Sequence, residues 1–542
     1  MRLIVFDLYR QPTTDNRQPT TDNRQPTTDN RQPTTDNRQP TTDNFPRHPA
    51  FFMRNSGGHD LGGIVVATQA RAAAPDRLSK ATILGMAAMG VAVLVVANDF
   101  TALSVALPAI ERELHTDVTT VQWVINGYAM VFGVLIVTGG RLADMFGRRR
   151  IFVAGAAIFA AFSLIGGFAP NAAVLLACRF LMGIGGAMMW PAILGMTYAL
   201  LPREKAGLAG GLILGAAGFG NAVGPLLGGM LTDSVGWRWI FFVNLPVAAV
   251  AIAITMAVVR CDETVKDHDA IDYAGTATLS TGLLAMLLAL DWALDLGWTA
   301  PLIIGLFVVA AIALTGFLFL ERRAGDGALV PPSVMANGGF LAAGITTLLA
   351  SAIFFAALLY MPQFMSKELG FSAVGSGAGL LPMMGTFMLT SFIAGRLYQI
   401  LGPKLIVTLG ALMLGAGMFL LSRLTASTTY NELIFGLVVL GIGVGLFYSS
   451  ITTAAITALD PSQASLAGAI VYMFQVAGGS IGVGFNTAIV VSGSSLPGGI
   501  HTAFLVDGSL AIASAAVAAI FVGGEVHVER LRELRHHHRA HA

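Results

Sequence analysis

The chain has 542 residues, of which 55% are hydrophobic and 12% charged, with a formal net charge of +1 and a mean hydropathy of +0.70. A soluble domain carries about a quarter charged residues, so these values exclude an ordinary soluble enzyme, and the near-zero net charge gives no footing for a nucleic-acid binder. Two cysteines, Cys178 in an apolar run and Cys261 in a polar link, form no disulfide framework.

Residues 10–44 hold five copies of Arg-Gln-Pro-Thr-Thr-Asp-Asn. The period is seven residues, yet no position is apolar and every copy holds a proline, so the repeat makes no coiled coil. Disorder is expected over 1–80, because such a segment buries nothing to offset its ordering entropy. The repeat reads as a passively carried tandem duplication, with Met53 or a later codon as a candidate start. The first long apolar run begins near Ala81 and is too long for a cleavable signal peptide.

Fourteen apolar runs follow, at 82–107, 121–140, 151–168, 172–200, 207–230, 239–259, 274–291, 301–320, 340–362, 374–395, 404–422, 433–456, 467–490 and 507–523. Runs near twenty residues predict membrane-crossing helices. The alternation of apolar and polar residues that a membrane barrel needs is absent. With the N-terminus inside, nineteen of the Lys and Arg from residue 71 onward fall in cytoplasmic segments near span ends and four in outer loops. That asymmetry predicts an even number of spans in the cell membrane and both termini in the cytoplasm.

The second and third spans are joined by Gly140-Arg-Leu-Ala-Asp-Met-Phe-Gly-Arg-Arg-Arg-Ile151. Asp144 lies among Arg141, Arg148, Arg149 and Arg150, and Gly140 and Gly147 permit a sharp turn or close backbone contact. A plain positive-inside loop explains the arginines but not the glycine–aspartate–glycine spacing.

Two ionisable residues fall deep in apolar runs: Asp99 in the first and Arg179 in the fourth. Such groups are costly in lipid and read as functional by default. Burial favours the protonated acid and a neighbouring Arg favours the carboxylate, so a carboxylate whose surroundings alternate suits a proton carrier. The fifth run carries Gly211, Gly220, Gly224, Pro225, Gly228 and Gly229. Its Gly-x3-Gly spacing permits close helix crossing, and its proline removes a backbone donor. Asp291 and Asp295 are expected as solvated loop carboxylates beside interfacial Trp292 and Trp298. His536, His537, His538 and His541 lie among arginines and read as a solvated tail rather than a metal site.

The 140–151 link resembles the loop between the second and third helices of the major facilitator superfamily. The glycine–proline run resembles the fifth-helix motif of that superfamily's antiporters. Further residues are similar to the drug:proton antiporters with fourteen spans, the EmrB/QacA type: Asp99 with Ala106-Leu107-Pro108, Gln122-Trp123 with Tyr128, and Arg179 with Gly183. So are Trp237-Arg238-Trp239-Ile240-Phe241 with Asn244 and Pro246, Tyr360-Met361-Pro362-Gln363, Gly395-Arg396-Leu397 with Gly402-Pro403, and Gln475 with Gly478-Gly479. The resemblance covers roughly 82–523. Two departures stand out: Met182 replaces a glutamine common in the fourth-helix pattern, and the first-helix run reads Asp-Phe-Thr-Ala-Leu-Ser-Val, without the usual β-branched residue and later asparagine.

The resemblance implies an all-α facilitator fold: a six-helix half over 81–259, a linker with two inserted helices over 260–339, a second half over 340–523, and a basic, His-rich tail over 524–542. It implies proton-coupled export of an amphipathic small molecule. Asp99 and Arg179 would couple the proton, and Gly140, Asp144, Gly147, Arg148 and Arg149 would latch one side. The fifth-helix motif would limit leak, and Gln122, Trp123, Tyr128 and Gln475 would belong to the cavity. No cofactor, metal or nucleic acid is expected; the partners are protons, cargo and the bilayer, and the chain is expected as a monomer. An enzyme reading lacks a phosphate-cradling loop, metal-ligand spacing or nucleophile elbow. Export of an endogenous metabolite, siderophore, amino acid or lipid precursor is the main rival, and a non-transporting membrane sensor a remote one.

Overall fold

The computed structural model describes residues 78–116, 118–259, 272–325 and 328–523. The 10–44 repeat, Cys261 and the histidine tail lie outside the described residues. Among those described, no strand occurs and fourteen helices are long and apolar enough to cross a membrane. We label them α1 (Lys80–Leu114), α2 (Val118–Phe146), α3 (Arg148–Gly167), α4 (Ala172–Ala199), α5 (Ala206–Ser234), α6 (Arg238–Val258) and α7 (Tyr273–Leu296). The series continues with α8 (Pro301–Ala324), α9 (Gly338–Lys367), α10 (Leu381–Leu401), α11 (Pro403–Leu421), α12 (Tyr430–Thr457), α13 (Ala464–Ser492) and α14 (Leu496–Phe521). They correspond one for one with the fourteen apolar runs. In lipid each backbone polar group must be satisfied within its own helix, which is why apolar length alone locates them.

Helix starts follow the capping residues. Ser79, Asn171, Asn337 and Ser495 each accept a backbone N–H three residues on, opening α1, α4, α9 and α14. Thr429 and Glu432 form a reciprocal capping box on α12.

Three expected boundaries change. The tenth span is a short helix, Ala373–Ala378, followed by α10, with the break at Gly379 and Leu380; Pro382 falls in the first turn of α10, where its missing backbone donor costs no helical bond. The fourteenth helix starts at Leu496, eleven residues before the expected 507, because Gly498, Gly499, His501 and Thr502 dilute the hydropathy of a stretch that Ser495 caps. Asp507 therefore sits mid-helix. Helix α7 runs on to Leu296 and stops at Gly297, where φ is 88°. Asp291 is thus a helix residue and not a loop carboxylate.

The packing repeats itself. Helix α1 packs on α5 and α6, α2 on α4, and α3 on α4 and α6. Adding eight to each number gives the second half: α9 on α13 and α14, α10 on α12, α11 on α12 and α14. The seams between halves follow the same rule, with α2 against α13 and α5 against α10. Two such repeats enclosing a central site are a common transporter plan. Helix α7 leans on α2 and α13, and α8 packs chiefly on α7. Leu302, Ile304, Val308, Val309, Ile312 and Phe319 of α8 are exposed, an apolar surface that is stable against hydrocarbon rather than water.

Candidate functional site

Asp99 of α1 and Arg179 of α4 meet in the core of the first half, both side chains fully buried, with Arg179 Nη1 2.5 Å from Asp99 Oδ2. Arg179 Nε donates to the Val124 carbonyl at 2.6 Å, and its guanidinium lies 4.4 Å from the centre of the Tyr128 ring. Asn244 of α6 donates to Asp99 Oδ1 and to Ser163 Oγ, each at 3.2 Å. Ser163 in turn donates to the Phe241 carbonyl at 2.8 Å. The pair is therefore held by α1, α2, α3, α4 and α6 together. Arg179 Nη2 has no hydrogen-bond partner. Met182 Sδ lies 3.9 Å from Nη1, so the residue that departs from the family pattern faces the guanidinium with only a weak acceptor. A proton added to Asp99 would cancel one charge and leave a buried guanidinium unpaired, a state that favours rearrangement. Asn244 was legible only as a motif letter and Ser163 not at all; polar residues within apolar helices are the signal that finds both.

The α2–α3 turn ties the two halves together at one end. Gly147 turns the chain at a φ of 100°, a region that disfavours side chains. Asp144 accepts from Arg148 Nε at 3.0 Å and from the Ser465 and Leu466 backbone N–H groups at 3.4 and 2.8 Å. Those two N–H groups belong to the first turn of α13, so a carboxylate of one half caps a helix of the other. Arg148 extends the clasp, donating to the carbonyls of Gly195, Pro461 and Ser462. Asp460 caps the Pro461–Gln463 turn, and the Ser462 hydroxyl and N–H hold its carboxyl below the usual carboxylate range. Tyr198 and Thr453 bridge the halves at 2.9 Å. Arg149 Nη1 donates to Val259 O of the first half at 2.8 Å. A Cβ on Gly140 would stand 2.6 Å from Ala469 Cβ, and one on Gly395 would stand 2.3 Å from Gly207 O. These close approaches sit at equivalent places in the two repeats. Asp144→Ala removes a charged acceptor shared by three donors. Such bonds contribute about 1.5–3 kcal/mol each. A thiol placed at buried Ser465 is expected to react with a polar maleimide at least tenfold faster in that variant than beside intact Asp144; equal rates would show that the clasp does not hold the seam.

The glycines of α5 serve two different contacts. A Cβ on Gly220, Gly224 or Gly228 would stand 3.0, 2.0 and 2.1 Å from Ala97 Cβ, Thr101 Oγ1 and Ala102 O of α1, within the first half. A Cβ on Gly211 would stand 2.9 Å from Ser391 O, across the seam. Gly229 has 3.6 Å to its nearest neighbour, so its lack of a side chain answers no close contact. Pro225 lies within an unbroken α5.

Between the halves lies a cavity of about 460 Å³ lined by Trp123, Asn126, Trp190, Asp291, Phe354, Phe387, Tyr448, Tyr472 and Gln475. Trp190 and Tyr472, with ring centres 4.9 Å apart, also border a narrow gap beside Leu194 and Gly468 on the side of the clasp. At the other end Asn126 Nδ2 donates to Asp291 at 3.3 Å, and Trp123 meets Trp292 edge to face. Two expected cavity residues are elsewhere. Gln122 is exposed, and Tyr128 is buried against Arg179, Phe132 and Phe159. Each residue turns about 100° round a helix, so Trp123, Asn126, Ala129 and Met130 share the cavity face while Gln122 and Tyr128 do not.

The motif at 237–241 does structural work at the cavity's end of the bundle. Trp237 Nε1 donates to Glu113 at 2.6 Å, and Arg238 pairs with the same carboxylate and with Ala169 O. This joins α1, α6 and the α3–α4 link.

The family model of the Major Facilitator Superfamily matches residues 89–343 and 343–540. The chain belongs to that superfamily. This facilitator is 35% identical over 409 residues to the puromycin resistance protein pur8 of Streptomyces alboniger, covering 74% of this chain and 80% of that one. It is 30% identical to the tetracenomycin C resistance and export protein of Streptomyces glaucescens, covering 73% of each. It is 29% identical to the multidrug transporter protein MdtP of Bacillus subtilis, covering 76% of each. Among solved structures, the human organic anion transporter MFSD10 aligns with a TM-score of 0.59 at 15% identity, over 81% of this chain and 99% of that one. That likeness bears on the fold alone.

Proposed function

We propose that this facilitator exports amphipathic small molecules, drugs and antibiotics among them, from the cytoplasm in exchange for protons. The chain would sit in the cell membrane with both termini in the cytoplasm, act as a monomer, and use the proton gradient without a bound cofactor or a covalent step. The relatives named for puromycin, tetracenomycin C and multidrug resistance support the cargo class. The observation that carries the reading is the cavity: an aromatic wall with Asp291 as the charged group among its described lining residues. Aromatic faces and a carboxylate attract an organic cation through its apolar body and its charge.

In this reading the clasp of Asp144 and Arg148 marks the state closed to the cytoplasm. Cargo leaves from the Asp291 end, a proton reaches Asp99, the Asp99–Arg179 pair loosens, and the halves rock to expose the cavity inward.

Proteoliposomes loaded with a lipophilic fluorescent cation and, separately, a neutral analogue test this. An imposed pH gradient is expected to drive efflux of both. Asp291→Asn is expected to weaken the cation about fivefold and leave the neutral analogue unchanged, since a partly solvated charge contact contributes on the order of 1 kcal/mol. No gradient-driven efflux from folded wild type would reject the drug-antiporter reading.

A further inference from the structure

A further enclosed carboxylate lies in the second half, remote in sequence from every motif described above. Asp507, midway along α14, is fully buried, and Asn486 of α13 beside it is 1% exposed. Asn486 Nδ2 donates to Asp507 Oδ1 at 3.1 Å and to Gly482 O at 2.9 Å, which uses both of its hydrogens. Two acceptor atoms remain, Asp507 Oδ2 and Asn486 Oδ1, and neither has a hydrogen-bond partner.

Helix α14 packs on α9, α11 and α13. The charged or titratable groups on those helices are Tyr360 and Lys367 of α9, Lys404 of α11, Tyr472 of α13 and His501 of α14 itself. Tyr360 donates to Thr487 at 2.6 Å, and His501 Nδ1 is 2.6 Å from Ser422 O. Lys367 and Lys404 stand at the ends of their helices, and Tyr472 faces the cavity. Among the described residues no ion pair reaches Asp507.

The contrast with Asp99 is one of chemistry. Asp99 faces a guanidinium that cannot surrender its charge. Asp507 faces only a neutral amide, and a lone carboxylate with a single neutral donor is poorly supported inside a membrane. A proton on Asp507 Oδ2 removes the charge and makes a donor where the neighbouring amide oxygen lacks one. We propose that the Asp507–Asn486 pair is a second proton-binding site, located in the second half and separate from Asp99–Arg179.

The pair is connected mechanically to the clasp. Helix α13 offers its first-turn N–H groups to Asp144 and carries Asn486 twenty residues later, about 30 Å along the same helix. Releasing the clasp frees α13 to shift against α14, which separates the amide from the acid and lets the proton leave. Its part in coupling rests on the antiporter reading; the binding of the proton does not.

Infrared difference spectra of the full chain in lipid nanodiscs, taken between acid and alkaline pH, test the site without requiring transport. The wild type is expected to show a protonated-carboxyl C=O band that Asp507→Asn removes and Asp99→Asn retains. Asn486→Ala keeps the acid but withdraws its partner, and is expected to shift the same band, which preserves the test if Asp507→Asn does not fold. In proteoliposomes, protons exchanged per cargo are expected to fall by one in Asp507→Asn. A band indifferent to Asp507 and Asn486 overturns the proposal and leaves the antiporter reading intact. A band that follows both variants, in a wild type that moves no cargo, supports the site and rejects that reading.

Discussion

Asp99→Leu is expected to lower stability by about 3–5 kcal/mol and abolish gradient-driven efflux, while Arg179→Leu abolishes efflux at a smaller cost to stability. The magnitude is that of a buried ion pair broken on one side. The asymmetry follows from what each variant leaves behind. Without Asp99, Arg179 stays charged in a fully enclosed site, where the Val124 carbonyl, the weak Met182 sulfur acceptor and the Tyr128 face still touch it. Without Arg179, Asp99 takes up a proton and keeps Asn244 as a hydrogen-bond donor. The double variant Asp99→Leu with Arg179→Leu is expected to regain most of the lost stability, because it leaves neither charge unpaired, and to regain no transport. Thermal scans of the four proteins in detergent, beside efflux from proteoliposomes, read both quantities. Equal losses in the two single variants, or a double variant as unstable as their sum, would show that the pair is not the coupled unit described here.

How far the sequence led differs between parts of the molecule. The helices were legible because hydrocarbon imposes apolar length on every crossing segment, whatever its tertiary neighbours. The start of α14 was not, because Gly498, Gly499, His501 and Thr502 lower the local hydropathy while Ser495 caps a helix that packing completes. That one misplaced boundary put Asp507 at a helix end and hid it as a buried group. Asp99 and Arg179 stood out as charges in apolar runs, yet their meeting, eighty residues apart, depends on how α1 and α4 pack. Tyr128 shows the same limit from the other side. It is near Trp123 in sequence but points to the guanidinium rather than the cavity, and a motif read as letters carries no direction.

Gly228→Ala and Gly207→Ala are expected to damage the protein in different ways, although both place a methyl against a backbone oxygen. The Cβ at Gly228 would stand 2.1 Å from Ala102 O of α1. That contact lies inside the first half and is needed in every conformation, so the helices must part and stability falls by about 1–3 kcal/mol. The Cβ at Gly207 would stand 2.3 Å from Gly395 O of α10. That contact crosses the seam at the end where Asp144 and Arg148 clasp, and in the rocking motion proposed above it exists only while the seam is shut. Gly207→Ala is therefore expected to leave thermal stability near that of the wild type, to expose a thiol at Ser465 to polar maleimide, and to slow efflux by holding the halves apart. Gly229→Ala, with 3.6 Å to its nearest neighbour, is expected to be silent in all three measurements. If Gly207→Ala unfolded the protein as Gly228→Ala does, the seam would be a fixed interface like the one between α1 and α5. If it altered neither labelling nor efflux, the glycine at that position would be incidental. The expected outcome would assign the outer glycines of α5 to the integrity of one half and Gly207 to the movement between halves.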